Sequence, residues 1–353
     1  MKGVIFMPFI NRIETIIKKS NEDIIVFHLN NQNLCTKEFK YSNKAISEEK
    51  ILKNIVNNDY CIKIDSNDKI YGIANCENGE VVYLYTDDYG NILSKKLFEY
   101  DKKKYIINNP YIKKYEDTIH ILYYIQSIDN KGIWSIFNHY YDGEKWTENN
   151  IDNITAYPVL NPFVVNEKDN NINIFYFNKI NGSEEIFLSK FNPISKLWNA
   201  PIQITNTSNK KIYLSVLSDE MNLYNITWSE FINENLVVRY MNGQLKEDGF
   251  YSNNVLSLSE QSNCSFPTLI KIDKILWNIW TQMDRIYSSY SLDYGKTWSI
   301  PNEDDRGTEN IIRYKFISNS ENDVREYKLD TAFGTYYPSI SFVGFQSVVK
   351  DSC

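Results

Sequence analysis

The sequence predicts an all-β chain in which one sheet unit recurs about every fifty residues. Three observations carry this expectation. Strand-favouring residues dominate, with 27 Tyr, 18 Phe and 15% aromatics among 353 residues, a composition suited to a pleated, half-buried surface. Clusters of Asn, Asp, Gly and Lys punctuate short apolar runs, as turns punctuate strands. Trp-centred turns also fall in step, at residues 141–146 and 192–198 and, two periods later, at 291–298.

Within each period the elements keep one order. The innermost strand is short and often opened by a residue paired with Pro: Asn109-Pro110-Tyr111-Ile112, Tyr157-Pro158-Val159-Leu160 and Phe266-Pro267-Thr268-Leu269. Tyr60-Cys61-Ile62 and Ile212-Tyr213-Leu214 fill the intervening slots without Pro. Pro suits a strand that leaves one edge unpaired. A more apolar second strand follows at residues 24–29, 70–74, 119–125, 172–177, 223–228 and 275–280. A third comes after a polar loop, at 34–41, 81–86, 133–140, 185–191, 236–241 and 286–291. A turn and an outer strand complete the unit. In the first unit, residues 47–56 show Ser47 ahead of Glu48 and Glu49 with helical apolar spacing; register makes them the outer strand with its turn.

Four strands per fifty residues describe the blade of a β-propeller. Six repeats reach about residue 305, leaving strand-like pieces at 311–317, 324–329 and 337–345. Residues 3–6 have no slot in the first unit, whose own innermost strand lies near 13–17. Pairing the two chain ends in one blade removes exposed edges. The expectation is therefore a single propeller domain over residues 1–353, seven blades favoured, closed by N- and C-terminal strands. Six blades with a C-terminal tail are the alternative.

The stretch Ser291-Leu292-Asp293-Tyr294-Gly295-Lys296-Thr297-Trp298 makes physical sense as a hairpin turn. Asp accepts from the backbone N–H groups of its own turn, Gly supplies a positive φ, and Trp starts the returning strand against the sheet. These residues resemble the Asp-box of sialidases and related β-propellers, found at the turn between the two outer strands of a blade. The resemblance assigns Ser291, Asp293, Gly295, Thr297 and Trp298 a structural role, away from any active face. Thr86-Asp87-Asp88-Tyr89-Gly90 reads as a degenerate copy without its Trp.

Sialidase chemistry would further imply three Arg for the substrate carboxylate, a Tyr–Glu nucleophile pair and an Asp acid/base. The chain has six Arg: Arg12, Arg239, Arg285, Arg306, Arg313 and Arg325. Arg12-Ile13 matches the Arg-Ile that opens the first sialidase Arg motif, but Glu14 replaces its Pro. A seven-bladed ring also departs from the six-bladed sialidase architecture.

Net charge of −7 and a pI near 5.2 argue against a nucleic-acid partner. No apolar run approaches the roughly 20 residues of a membrane span. The N-terminal apolar run is short and broken by Pro8, so cytoplasmic residence is the default expectation, with spore or cell-surface association open. Cys35, Cys61, Cys76, Cys264 and Cys353 lack metal-ligand spacing and read as free thiols. His28, His120 and His139 fall in strand patterns and read as packed groups. No cofactor or metal motif is present.

What remains is aromatic and polar crowding near the ends of second and third strands: Trp228 with Glu230, Trp280 with Asp284 and Arg285, and Tyr157 opening another blade. An aromatic face with carboxylate, amide or guanidinium partners is the chemistry of sugar recognition. The expected function is non-catalytic recognition or scaffolding, with a glycan or protein partner bound by loops on one face. A sialidase-like glycoside hydrolase is the alternative. A purely structural component of a cellular layer is a third reading.

Overall fold

The computed structural model describes residues 13–42, 46–156, 159–168, 171–219, 223–247, 249–308, 311–336 and 339–345. The chain forms two compact units, Thr15–Ser208 with Ile317–Val324, and Asn209–Phe316 with the described chain from Arg325 onward.

The first unit holds four antiparallel meanders, each paired in chain order. Sheet one is β1 (Ile13–Lys18), β2 (Ile24–Asn30), β3 (Asn33–Phe39) and β4 (Ile46–Leu52). Sheet two is β5 (Ile55–Ile64), β6 (Ile70–Cys76), β7 (Glu80–Thr86) and β8 (Ile92–Glu99). Sheet three is β9 (Tyr105–Tyr115), β10 (Thr118–Ser127), β11 (Ile133–Tyr141) and β12 (Trp146–Thr155). Sheet four is β13 (Val164–Lys168), β14 (Asn171–Ile180) and β15 (Ser183–Asn192), its outer edge split into β16 (Leu197–Trp198) and β17 (Ile202–Gln203).

In the second unit, sheet five is β18 (Lys211–Ser218), β19 (Leu223–Ile232) and β20 (Asn235–Lys246), edged by β21 (Gly249–Ser252) and β22 (Leu256–Ser257). Sheet six is β23 (Ser265–Ile272), β24 (Ile275–Gln282), β25 (Arg285–Ser291) and β26 (Asn302–Glu303). After β27 (Ile311–Ser318) come a short helix α1 (Glu321–Glu326), β28 (Tyr327–Leu329), β29 (Thr331–Thr335) and β30 (Phe342–Val343).

Period-2 alternation explains why second strands are apolar throughout: both faces are covered. On β10, Ile121 packs with Ile73 and Val81 of sheet two, while Leu122 packs with Ile174 and Tyr176 of sheet four. On β24, Leu276 and Trp280 pack with Val238 and Tyr240 of sheet five, and Trp277 and Ile279 pack with Ile311 and Phe333 on the other side.

Most of the expected strand order is observed, and residues 46–52 form a strand rather than a helix. Three expectations need correction. The innermost strand of sheet four is β13, several residues beyond 157–160; Tyr157 and Pro158 lie outside the described residues. In the C-terminal region, residues 324–329 begin as helix and end as β28, which pairs with the outer side of β23 instead of joining a blade with β27. The strand beside β27 is β29, which sequence reading did not place, with β30 beyond it. Residues 3–6 lie outside the described residues.

Four of the innermost strands, β5, β9, β18 and β23, share a bulge, with register shifts at Ile55/Tyr60, Leu122/Tyr124, Ile212/Ser215 and Ser265/Thr268. Three of these bulges carry a positive φ, at Asn109 (55°), Tyr213 (60°) and Phe266 (53°). Such bulges bend the strand and re-aim its side chains.

The turn Ser291–Trp298 is closed by its own side chains. Thr297 donates its N–H to Asp293 Oδ1 (2.8 Å) and its hydroxyl to Oδ2 (2.7 Å), while Gly295 N–H donates to Ser291 Oγ (2.8 Å). Trp298 Nε1 donates to the Gly295 carbonyl at 3.2 Å, and its ring meets Tyr240 edge-on at 4.7 Å. Trp298 is half-buried and precedes the returning strand, which is only β26. Asp87 plays the same part between β7 and β8, accepting from the N–H groups of Tyr89 (2.9 Å) and Asn91 (2.8 Å). Asp142 and Asn192 do so in the next two sheets.

Candidate functional site

The densest polar constellation is in the first unit, where the innermost strands β5, β9 and β13 each contribute. Alternation on β9 puts Tyr111, Lys113 and Tyr115 on one face. Lys63 comes from β5 and Glu167 from β13. The Glu167 carboxylate accepts from Lys63 Nζ at 3.2 Å, and also from Lys113 Nζ and the Tyr111 hydroxyl. Lys63 Nζ lies 4.9 Å from the Tyr111 ring centroid and Lys113 Nζ 4.9 Å from that of Tyr115, both within cation–π range. The Tyr71 hydroxyl, from β6, accepts the Lys114 N–H at 3.4 Å.

Burial alone would raise the Glu167 carboxyl, but the ammonium groups of Lys63 and Lys113 outweigh it and hold it at about 2. Burial and the neighbouring carboxylate push the Tyr111 hydroxyl well above the usual phenol range; Tyr71 and Tyr115 are raised mainly by burial. At neutral pH the site is thus an ionised carboxylate among ammonium donors and protonated phenols. The Tyr115 hydroxyl is buried with no hydrogen-bond partner among the described residues. Such a group is unusual enough to need an explanation. His120 is also buried, with burial lowering its pKa to about 4, so the ring is neutral.

The residues picked from the sequence fall elsewhere. Trp228 and Trp280 are both 0% exposed, filling space within the second unit. Their faces are covered, which removes the stacking surface expected of them. Glu230 is buried too, accepting from Trp228 Nε1 (2.8 Å) and Asn209 Nδ2 (2.7 Å). Asp284 is exposed in the β24–β25 turn with φ of 64°, and Arg285 pairs with Glu303 at 2.6 Å. Glu167 was missed because its strand was misplaced; the alternation Tyr111-x-Lys113-x-Tyr115 was the available signal.

A sialidase-type arginine set is not what the described arginines form. Arg239, Arg285, Arg306 and Arg325 each lie against a different carboxylate, those of Glu230, Glu303, Asp304 and Glu326. Arg313 lies 3.9 Å over the Phe266 ring, and Arg12 is outside the described residues. His139 stands between the Tyr123 hydroxyl (2.6 Å) and Glu148 (3.5 Å), but Tyr123 is buried among Phe98 and Phe137. No group of three or more metal-ligating side chains occurs among the described residues.

Solved structures with a similar fold include carbohydrate-active proteins. An ulvan lyase of a new polysaccharide lyase family, bound to GlcA(1-4)Rha3S, aligns over 92% of this chain and 94% of its own at 9% identity and a TM-score of 0.58. What is shared is the fold. A second polysaccharide lyase aligns over 84% and 82% at 8% identity, with a TM-score of 0.53. The Aleuria aurantia lectin, described as a six-bladed β-propeller that recognises fucose, aligns over 82% and 95% at 11% identity, with a TM-score of 0.45. No protein-family model matches the chain, and no curated protein matches it. Among the described residues no helix is long and apolar enough to cross a membrane.

Proposed function

We propose that the chain is a glycan-binding β-propeller that holds an acidic saccharide at Lys63, Tyr111, Lys113, Tyr115 and Glu167 without cleaving it. The sheets are read as blades of one domain over residues 1–353, seven with β27, β29 and β30 in the last, and Ser291–Trp298 as an Asp-box. The observation that carries the site is the convergence of two ammonium groups and a phenol on one carboxylate, beside the unpartnered Tyr115 hydroxyl. A sugar carboxylate or sulfate would take charge-assisted bonds from the lysines, and a ring C–H face would meet Tyr111 or Tyr115. The ulvan lyase that shares the fold is described as bound to a saccharide containing GlcA.

The non-catalytic reading rests on proton affinity. A Tyr–Glu couple serves as a nucleophile only when the carboxylate can draw off the phenol proton. Here Glu167 is held at about 2 and Tyr111 is raised, so the proton stays on the phenol.

Calorimetric titration with a glucuronate-containing oligosaccharide and its neutral counterpart tests this reading. Binding of the acidic chain alone is expected, weakened at least about tenfold in Lys63→Gln/Lys113→Gln, since each charge-assisted hydrogen bond contributes about 1.5–3 kcal/mol. Equal binding of the neutral chain would refute the acidic class. Shortened chains after incubation would refute the non-catalytic role.

A further inference from the structure

The second unit carries a cleft that the proposed glycan site does not use. Its volume is about 590 Å³, and Arg239 lies in it together with Ile232, Val237, Ser257, Ser259, Glu260 and Gln261. That size suits a small-molecule site, typically about 300–1,000 Å³.

The guanidinium there is held from behind. Trp228 pairs with Arg239, Glu230 with Val237, and Ser257 with Arg239 across β19, β20 and β22. Directly opposed residues share a face, so all five lie on one face of sheet five. Glu230, 1% exposed, has its two oxygens taken by Asn209 Nδ2 and Trp228 Nε1. Arg239 Nε is 3.7 Å from Glu230 Oε2, too far for a hydrogen bond, and it is buried with no hydrogen-bond partner among the described residues. Arg239 Nη1 donates to the Ser257 hydroxyl. The buried carboxylate therefore fixes where the guanidinium sits without consuming its donors. A planar fork fixed in this way matches an oxyanion better than a mobile lysine does.

The rest of the lining narrows the ligand. Ser259 Oγ is engaged, accepting from Val238 N–H at 2.9 Å and donating to the Glu260 carbonyl at 2.9 Å. The exposed Glu260 carboxylate and Gln261 amide remain to meet hydroxyl groups, and Glu260 repels a bare anion. We infer that this cleft is a second ligand site, taking a small hydroxyl-rich molecule that bears an oxyanion, of the class of a hexuronic acid. Arg239 meets the oxyanion and Glu260 the hydroxyls. The inference does not depend on the Lys63–Lys113 site.

The test uses the full chain carrying Lys63→Gln/Lys113→Gln, so that the two sites are read separately, with circular dichroism confirming that each variant folds. Sodium glucuronate, glucose and sodium sulfate are titrated by calorimetry or NMR. Glucuronate is expected to bind and glucose not to. Arg239→Lys should weaken glucuronate at least tenfold and Glu260→Gln severalfold. Glu230→Gln should loosen the same affinity and Glu230→Asp restore part of it, which a merely structural residue would not do. Unchanged affinity in Arg239→Lys overturns the inference, as does absence of glucuronate binding. Sulfate binding as tightly as glucuronate, indifferent to Glu260→Gln, overturns it too, leaving an anion site without sugar selectivity.

Discussion

Gly295 shows how much one position can decide. Its φ is +82°, and a Cβ there would lie 1.8 Å from the Tyr240 hydroxyl. Tyr240 is itself buried and donates to Asn225 Oδ1 at 2.6 Å, so it has little room to yield. Gly295→Ala should therefore cost about 2–4 kcal/mol, combining backbone strain with overpacking. Asp293→Ala, which removes three hydrogen bonds at a largely exposed turn, should cost about 1–3 kcal/mol. Urea unfolding checks both, and changes within about 0.5 kcal/mol would mean the turn is not under these constraints. This turn was legible in the sequence because the hydrogen bonds that close it, among Ser291, Asp293, Gly295, Thr297 and Trp298, are local. Trp228 and Trp280 were not, because an indole that stacks on a sugar and one that fills a core present the same residue type. Glu167 was hidden because its strand, β13, lies beyond the expected 157–160 and its partners come from β5 and β9, far away in the chain.

At the scale of elements, β9 is the strand to perturb. Its bulge at Asn109 is held by Asp59 of β5, which accepts the Asn109 N–H at 2.8 Å and Asn75 Nδ2 at 3.0 Å. Just beyond that bulge, β9 presents Tyr111, Lys113 and Tyr115. Burial raises the Asp59 carboxyl to about 6, with the hydrogen bonds from Asn75 and Asn109 opposing it. A carboxyl raised in the folded state contributes stability that is fully present below its unfolded value, near 3.8, and lost as pH rises through about 6. Relative to Asp59→Asn, the wild type should thus lose about 2 kcal/mol between pH 4 and 7. Parallel pH dependences in urea unfolding would contradict this. Sequence patterning located the innermost strands except that of sheet four, but not their bulges, since only Asn109-Pro110 and Phe266-Pro267 mark them. It also missed α1: Glu321, Asp323 and Arg325 on a six-residue helix with no buried side chain leave no apolar periodicity to detect.

For the molecule as a whole, an acidic chain of net charge −7 is proposed to bind acidic saccharides. Net charge governs long-range steering, whereas affinity is set where ammonium and guanidinium groups are partly desolvated. Lys63 and Lys113 have side chains 18% and 21% exposed, and Arg239 19%, so their charges are screened far less than those on the surface. The repeat itself was readable from composition and turn spacing, because each sheet is a local unit whose second strand is covered on both sides. Ligand chemistry was not, because it depends on which side chains of neighbouring innermost strands meet. A crystal structure of the chain with a glucuronate-containing oligosaccharide tests the central claim most directly. The account predicts a sugar carboxylate within hydrogen-bond distance of Lys113 Nζ, a sugar oxygen on the Tyr115 hydroxyl, and an intact glycosidic chain. An oligosaccharide seated only away from Lys63, Lys113 and Tyr115, or found cleaved there, would contradict it.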